Sequence, residues 1–222
     1  DTIYLGGGTP SVLNPDQIHN ILEMLRKNFT FDMKTELTIE INTGTINKDV
    51  FKHYISMDIK RLSIGVQSFS DNELRFLGRI HTAHEAINTI EHARLSGYDN
   101  INIDLIYALP GQSLTAWENT LKISNRFAPE HVSAYNLSIE QGTPFYTMLK
   151  NGQLTAPSQN KEADFFHWLF VICHNFPDCL KVAVSILNIR QKVTVFNPLI
   201  PGENCYYPRL LRMSVCIILC FL

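Results

Sequence analysis

The alternation of apolar and polar positions changes period repeatedly along this chain, and the order of the changes is regular. Ile3 to Leu5 is a short β-branched and aromatic run that reads as a strand. From Pro15 to Lys27 the apolar residues Ile18, Ile21, Leu22 and Leu25 recur at helical spacing, with Asn14 placed to cap the helix and Pro15 at its first position. Glu36 to Ile41 is strand-like again, and Asn47 to Met57 carries Val50, Phe51, Tyr54 and Ile55 on a helical face. Arg61 to Val66 predicts the next strand, followed by a short helix over Asp71 to Leu77 and a longer one over His84 to Ser96, which Gly97 ends. Asn100 to Tyr107 alternates as a strand, Leu114 to Phe127 reads as a helix, and His131 to Leu137 as a further strand. Strand and helix alternate in this way five times. Such alternation predicts an α/β chain with a parallel sheet and right-handed crossovers, a complete or partial (β/α) barrel.

In a barrel of that kind the chemistry sits where the strands end. The first strand runs into Gly6, Gly7, Gly8 and Thr9, where glycine permits positive φ and lets a ligand approach bare backbone. The bland alternative for three glycines is a tight strand-to-helix turn, since neither a Walker lysine nor G-x-G-x-x-G spacing is present. The second strand runs into Glu40 and Asn42, the third into Gln67 and Ser68, the fourth carries Asp104, and Arg79 follows the short helix. Any one of these polar groups alone could be satisfied by a loop amide or a helix end. Together, acceptors, amides and one arginine at successive strand ends suit a ligand bearing hydroxyls, an ammonium and a carboxylate.

Composition narrows the classes further. The 222 residues are 45% hydrophobic and 18% charged, enough for one main domain with a sizeable core. A formal charge of −2 with no basic run argues against a nucleic-acid surface. The eight histidines are scattered without metal-ligand spacing. All five cysteines, Cys173, Cys179, Cys205, Cys216 and Cys220, fall in the last fifty residues and form no C-x-x-C pair, so no metal ligand is assigned from them.

The succession YLGGGTPS, EINTGT, SIGVQSF, LGRIHT, IDLIYALPGQ and SAYNLSIEQGTPFY, over roughly residues 2 to 168, resembles the radical S-adenosylmethionine proteins related to oxygen-independent coproporphyrinogen III oxidase. The segment from Ser133 to Phe145, with Glu140 and Gly142-Thr143-Pro144, is similar to the haem-chaperone branch, HemW. The resemblance implies that Gly7, Gly8 and Thr9 receive the aminoacyl end of S-adenosylmethionine and that Glu40 accepts its ribose hydroxyls. It also implies that Gln67, Arg79 and Asp104 surround the same ligand, Arg79 facing the carboxylate, with Ala108 near the adenine. A 4Fe-4S cluster, haem or porphyrin, and a haem-acceptor protein are the further cofactors and partners that it implies. Oxidative decarboxylation of coproporphyrinogen III propionates is the enzymatic alternative, and a noncatalytic truncated product is a third.

The family's cluster loop, C-x3-C-x2-C, does not occur in this sequence, and the expectation is a partial barrel lacking its first βα unit. The predicted organisation is a core over residues 1–145, the start of a C-terminal region over 146–170 with a helix near Lys161 to Trp168, and a divergent segment over 171–222. In that segment His174-Asn175 lacks the aromatic pair of the branch's H-N-x-x-Y-W motif, leaving His167 and His174 as speculative axial ligands. The composition change there would follow from an alternative splice product, a frame change or a misjoined gene model, the alternative being a divergent but genuine C-terminal segment. The closing run RLLRMSVCIILCFL is short for a bilayer span, so no membrane span is expected. The expected location is cytoplasmic, or mitochondrial for a eukaryotic chain.

Overall fold

The computed structural model describes residues 2–32, 34–175, 183–186 and 216–220. The first βα unit is β1 (Thr2–Gly6), a 3₁₀ turn (Pro10–Val12) and α1 (Pro15–Asn28). It is followed by β2 (Glu36–Asn42), α2 (Lys48–Ser56), β3 (Arg61–Gln67), α3 (Asp71–Phe76), α4 (Ala83–Leu95) and β4 (Ile101–Tyr107). Then come α5 (Leu114–Asn125), β5 (His131–Asn136), α6 (Pro144–Lys150), α7 (Gln159–Asn175), β6 (Ala183–Ile186) and β7 (Cys216–Cys220). From β1 to β5 this is the βα alternation that the hydrophobic pattern predicts, with element ends shifted by a residue or two; α7 extends beyond the helix expected near Lys161 to Trp168, and α6, β6 and β7 lie outside the expected pattern.

Local chemistry explains the boundaries. At α1 the Asn14 side chain accepts from the Gln17 N–H while the Gln17 side chain accepts from the Asn14 N–H, a capping box at 2.9 Å in both directions. Asn47 caps α2 by accepting from the N–H groups of Asp49 and Val50, and Ser113 caps α5 by accepting from Ala116 N–H. Gly97, at φ 102°, sits two residues past the end of α4.

The described chain divides into two compact units. The first takes in residues 1–65, 85–102 and 200–222, so far as they are described. Within it β7, β1, β2 and β3 are successive parallel neighbours. The register pairs Tyr4 with Thr38 and Leu5 with Ile39, then Ile39 with Leu62 and Glu40 with Ser63. Ile18 and Leu22 of α1, Phe51 and Tyr54 of α2, and Ile3, Leu5, Ile39, Ile41, Leu62 and Ile64 of the strands are buried. The Phe51 and Tyr98 rings meet edge to face at 6.1 Å. The α2 stripe differs from expectation in one respect: burial follows Phe51, Tyr54 and Met57, a three-residue step that turns Ile55 to the solvent flank, where it is 41% exposed.

The second unit takes in residues 66–84 and 103–199, so far as they are described. Here β4, β5 and β6 are successive neighbours, β6 pairing parallel with β5. Trp117 of α5 is fully buried, packs against the Tyr107 ring at 5.5 Å, and donates its indole N–H to the Phe165 carbonyl at 3.0 Å, fastening α5 to α7. Removing that ring would cost about 3–5 kcal/mol by the usual scale for large-to-small changes in a core.

Of the closing apolar run, Cys216–Cys220 forms β7 and the rest lies outside the described residues, as do Cys179 and Cys205. Among the described residues no helix is long and apolar enough to cross a membrane.

Candidate functional site

In the first unit the candidate residues gather around Glu40. One step beyond the Leu5–Ile39 pair, Gly6 comes opposite Glu40, and β1 then breaks into a turn in which Gly7 and Gly8 have φ of 79° and 55°. Those angles suit glycine, because a Cβ would crowd the following carbonyl. The Gly7 N–H donates to Glu40 Oε2 at 3.0 Å, and the Tyr4 hydroxyl donates to Oε1 at 2.9 Å. The structure therefore joins Gly7 and Glu40, and it does so directly. A carboxylate has about four lone-pair positions, so each oxygen of Glu40 keeps capacity for an outside hydroxyl. The Gly7 N–H is already engaged, leaving the exposed backbone of Gly8 and the half-buried Thr9 as this turn's open groups.

Behind the turn, the Ser11 hydroxyl accepts from Asn42 N–H at 3.1 Å and shares a 2.9 Å hydrogen bond with Thr45. These contacts tie the segment after the glycines to the end of β2. On β3, Ser63 stands in register with Glu40 and accepts from the Asn102 amide at 2.8 Å, a buried polar pair continuing the row.

The second unit holds Gln67, Arg79, Asp104 and Ala108. Gln67, at the end of β3, and Ala108, immediately after β4, have φ of 68° and 60°. Both are buried. A left-handed conformation at a non-glycine residue costs roughly 1–2 kcal/mol, and strain of this kind gathers at ligand sites. Two of the four described non-glycine residues with positive φ are thus residues singled out from the sequence. Asp104 is half-buried on β4 and accepts from the Tyr135 hydroxyl at 3.4 Å. Arg79 follows Gly78 in the turn after α3, half-buried, with no side-chain partner among the described residues. Burial lowers the Arg79 pKa, yet a guanidinium keeps its charge, so this half-buried cation can accept an anion without breaking an existing ion pair.

Beyond Ala108, a cavity of about 320 Å³ is lined by Asn136, Ser138, Glu140, Leu149 and Glu162 among others. The Asn136 Oδ1 atom is buried with no partner, so this wall asks for a hydrogen-bond donor. Tyr4 and Ser11 bound the YLGGGTPS run without a role being readable for them there, and Glu162 carries no motif spacing of its own. Only the strand register and α7 reveal their positions.

Each unit thus offers polar groups of its own: the first a carboxylate held at both oxygens with lone pairs to spare, the second the half-buried Arg79 guanidinium and the Asn136 acceptor. Residues 1–123 match the family model described as the radical SAM superfamily. The chain belongs to that superfamily. It is 35% identical over 171 residues to the "Heme chaperone HemW" of Lactococcus lactis, covering 77% of this chain and 45% of that protein. It is 34% identical over 162 residues to the zebrafish (Danio rerio) "Radical S-adenosyl methionine domain-containing protein 1, mitochondrial", covering 73% and 36%. Among solved structures, coproporphyrinogen III oxidase (HemN) from Escherichia coli aligns with a TM-score of 0.68 at 32% identity, covering 78% of this chain and 40% of that one. The chain thus spans less than half the length of each of these relatives.

As a radical SAM chain it should meet an iron-sulfur cluster, and here the residues do not fit. No C-x3-C-x2-C occurs in its sequence, and among the described residues no group of three His, Cys, Asp or Glu could hold a metal ion. No chemical step through the cluster is therefore assigned to these residues. His167 is exposed on α7, whereas the side chain of His174 lies outside the described residues.

Proposed function

We propose that this chain is the S-adenosylmethionine-binding portion of a HemW-like haem chaperone, one that binds haem and passes it to an acceptor protein. The observation that carries the reading is the run of similarity through residues 1–123 and beyond, shared with proteins named as haem chaperones. Supporting it are the Glu40 carboxylate held at two points beside a glycine turn and the strained backbone at Gln67 and Ala108.

In this reading Glu40 takes the ribose hydroxyls, Gly8 and Thr9 offer backbone to the aminoacyl end, and Arg79 neutralises the carboxylate. Gln67 and Asp104 supply further polar contacts, and Ala108 with Asn136 borders the adenine. The bound ligand and a 4Fe-4S cluster together supply one-electron cleavage chemistry in the family. These residues bind and orient only. Haem and the acceptor would be met by the C-terminal region, and a cytoplasmic location, or a mitochondrial one in a eukaryote, accompanies the reading.

The second reading is oxidative decarboxylation of coproporphyrinogen III, favoured by the likeness to the Escherichia coli oxidase at 32% identity. One experiment separates the two. The chain is titrated with S-adenosylmethionine by calorimetry and with haemin by Soret absorbance, and haem transfer to an apo-haemoprotein is followed beside porphyrinogen oxidation. Binding of both ligands with haem transfer is the expected result, and transfer is the outcome that discriminates, because without cluster ligands no vinyl product is expected under either reading. Absence of haem binding and transfer would favour the oxidase reading, and absence of S-adenosylmethionine binding would sink both.

A further inference from the structure

Tyr4 stands in β1 between the buried apolar residues Ile3 and Leu5, shortly before the glycine turn. Strand side chains alternate in direction, so Tyr4 shares its face with Gly6, and the register brings Glu40 opposite Gly6 on that same face. A side chain at Gly6 would close the gap. An added Cβ would lie well inside van der Waals contact distance of Tyr4 Cε1, 2.8 Å from Cδ1 and 2.9 Å from Glu40 Oε1. The bare Cα of Gly6 is therefore the floor over which the Tyr4 ring leans to place its hydroxyl 2.9 Å from the carboxylate.

We infer that Tyr4 is a positioning residue for the candidate S-adenosylmethionine site, acting through Glu40 on the glycine turn. The inference rests on the reading of Glu40 and the turn given above, and adds to it the group that fixes them. Glu40 makes its hydrogen bond to Gly7 N–H through one oxygen and to Tyr4 through the other. A carboxylate held at one oxygen can still rotate about its terminal torsion, whereas two donors on opposite oxygens set its plane. With the plane set, the remaining lone pairs face a fixed direction and the Gly7 amide is held in its turn. Of the two donors, Gly7 belongs to the backbone, so Tyr4 is the one that a side-chain substitution can remove.

The experiment is a double-mutant cycle on the 222-residue chain, Tyr4→Phe and Glu40→Gln alone and together, with two readouts. One is the calorimetric dissociation constant for S-adenosylmethionine, and the other is hydrogen exchange of the Gly7 amide with no ligand present. Tyr4→Phe keeps the ring and is expected to weaken binding about fivefold when Glu40 is intact, and less than about twofold in the Glu40→Gln background. Gly7 exchange should quicken about threefold in the single variant. Equal loss in both backgrounds would mean that the phenol acts independently of Glu40 and would overturn the inference, as would unchanged binding and exchange. A wild-type chain that fails to bind S-adenosylmethionine would defeat the functional reading instead, and Gly7 exchange then decides on its own whether Tyr4 holds the turn through Glu40.

Discussion

Two hydrogen bonds at Glu40 and two strained residues at strand ends account for most of what the candidate site can do. Glu40→Ala removes the acceptor for outside hydroxyls and the partner of Gly7 N–H together. S-adenosylmethionine binding should weaken by about 1.5–3 kcal/mol, the range for a charge-assisted hydrogen bond, as read by calorimetry. Unchanged affinity would remove Glu40 from the site. Gln67 tests the strain from the other side. Glycine accepts φ of 68° without a Cβ penalty, so Gln67→Gly should stabilise the fold by about 1 kcal/mol while weakening ligand binding. A melting temperature higher by about 2–4 °C with lower affinity is the expected pair of readings. A fall in both would mean that the glutamine serves packing. The chemical types of these residues were legible in the sequence because glycines, carboxylates and amides stand out where apolar strand patterns stop. Tyr4 was not, since an aromatic residue in a strand is ordinary until the register sets it opposite a carboxylate.

Elements were legible wherever local signals agreed with burial. Asn14-Pro15 with Gln17 fixes the start of α1 by side-chain chemistry alone, and the structure closes both hydrogen bonds of the box. Asn14→Ala should therefore cost about 1 kcal/mol in chemical denaturation, with an unchanged slope against denaturant. A much smaller loss would show that burial of Ile18 and Leu22 alone sets the helix start. Three features escaped the pattern. The helix α6 is only seven residues long, has none of them buried, and starts at a Thr143-Pro144 pair that reads equally as a turn. Ile55 lies on the apolar side of a helical wheel, yet the actual stripe of α2 steps by three and leaves it outside. Short helices have too few turns to average out such drift. No local rule identified β7 either, because an apolar run of five residues is compatible with strand or helix until a partner strand is present.

Across the whole molecule, three buried tyrosines set a limit on alkaline stability. Burial pushes Tyr54 and Tyr107 up to about 12, with the Glu162 carboxylate adding to the effect at Tyr107, and raises Tyr98 further, with Tyr54 adding to it. Each folded-state pKa lies above the unfolded value of 10.0, so the unfolded chain releases these protons first as pH rises. The stabilisation is complete below about pH 10 and is lost progressively as pH climbs toward 12. Denaturant midpoints should stay level up to about pH 9.5 and then fall, and absorbance at 295 nm should show some of the eight tyrosines ionising only with unfolding. Tyr98→Phe gives the sharper test. Its hydroxyl is buried without a hydrogen-bond partner, so losing it removes a desolvated polar atom and one of the three alkaline liabilities. This variant should match or exceed the parent in stability at neutral pH and hold its midpoint to higher pH. If it unfolds at the same alkaline pH as the parent, Tyr98 is not among the groups that drive the transition, and Tyr54 and Tyr107 must carry it.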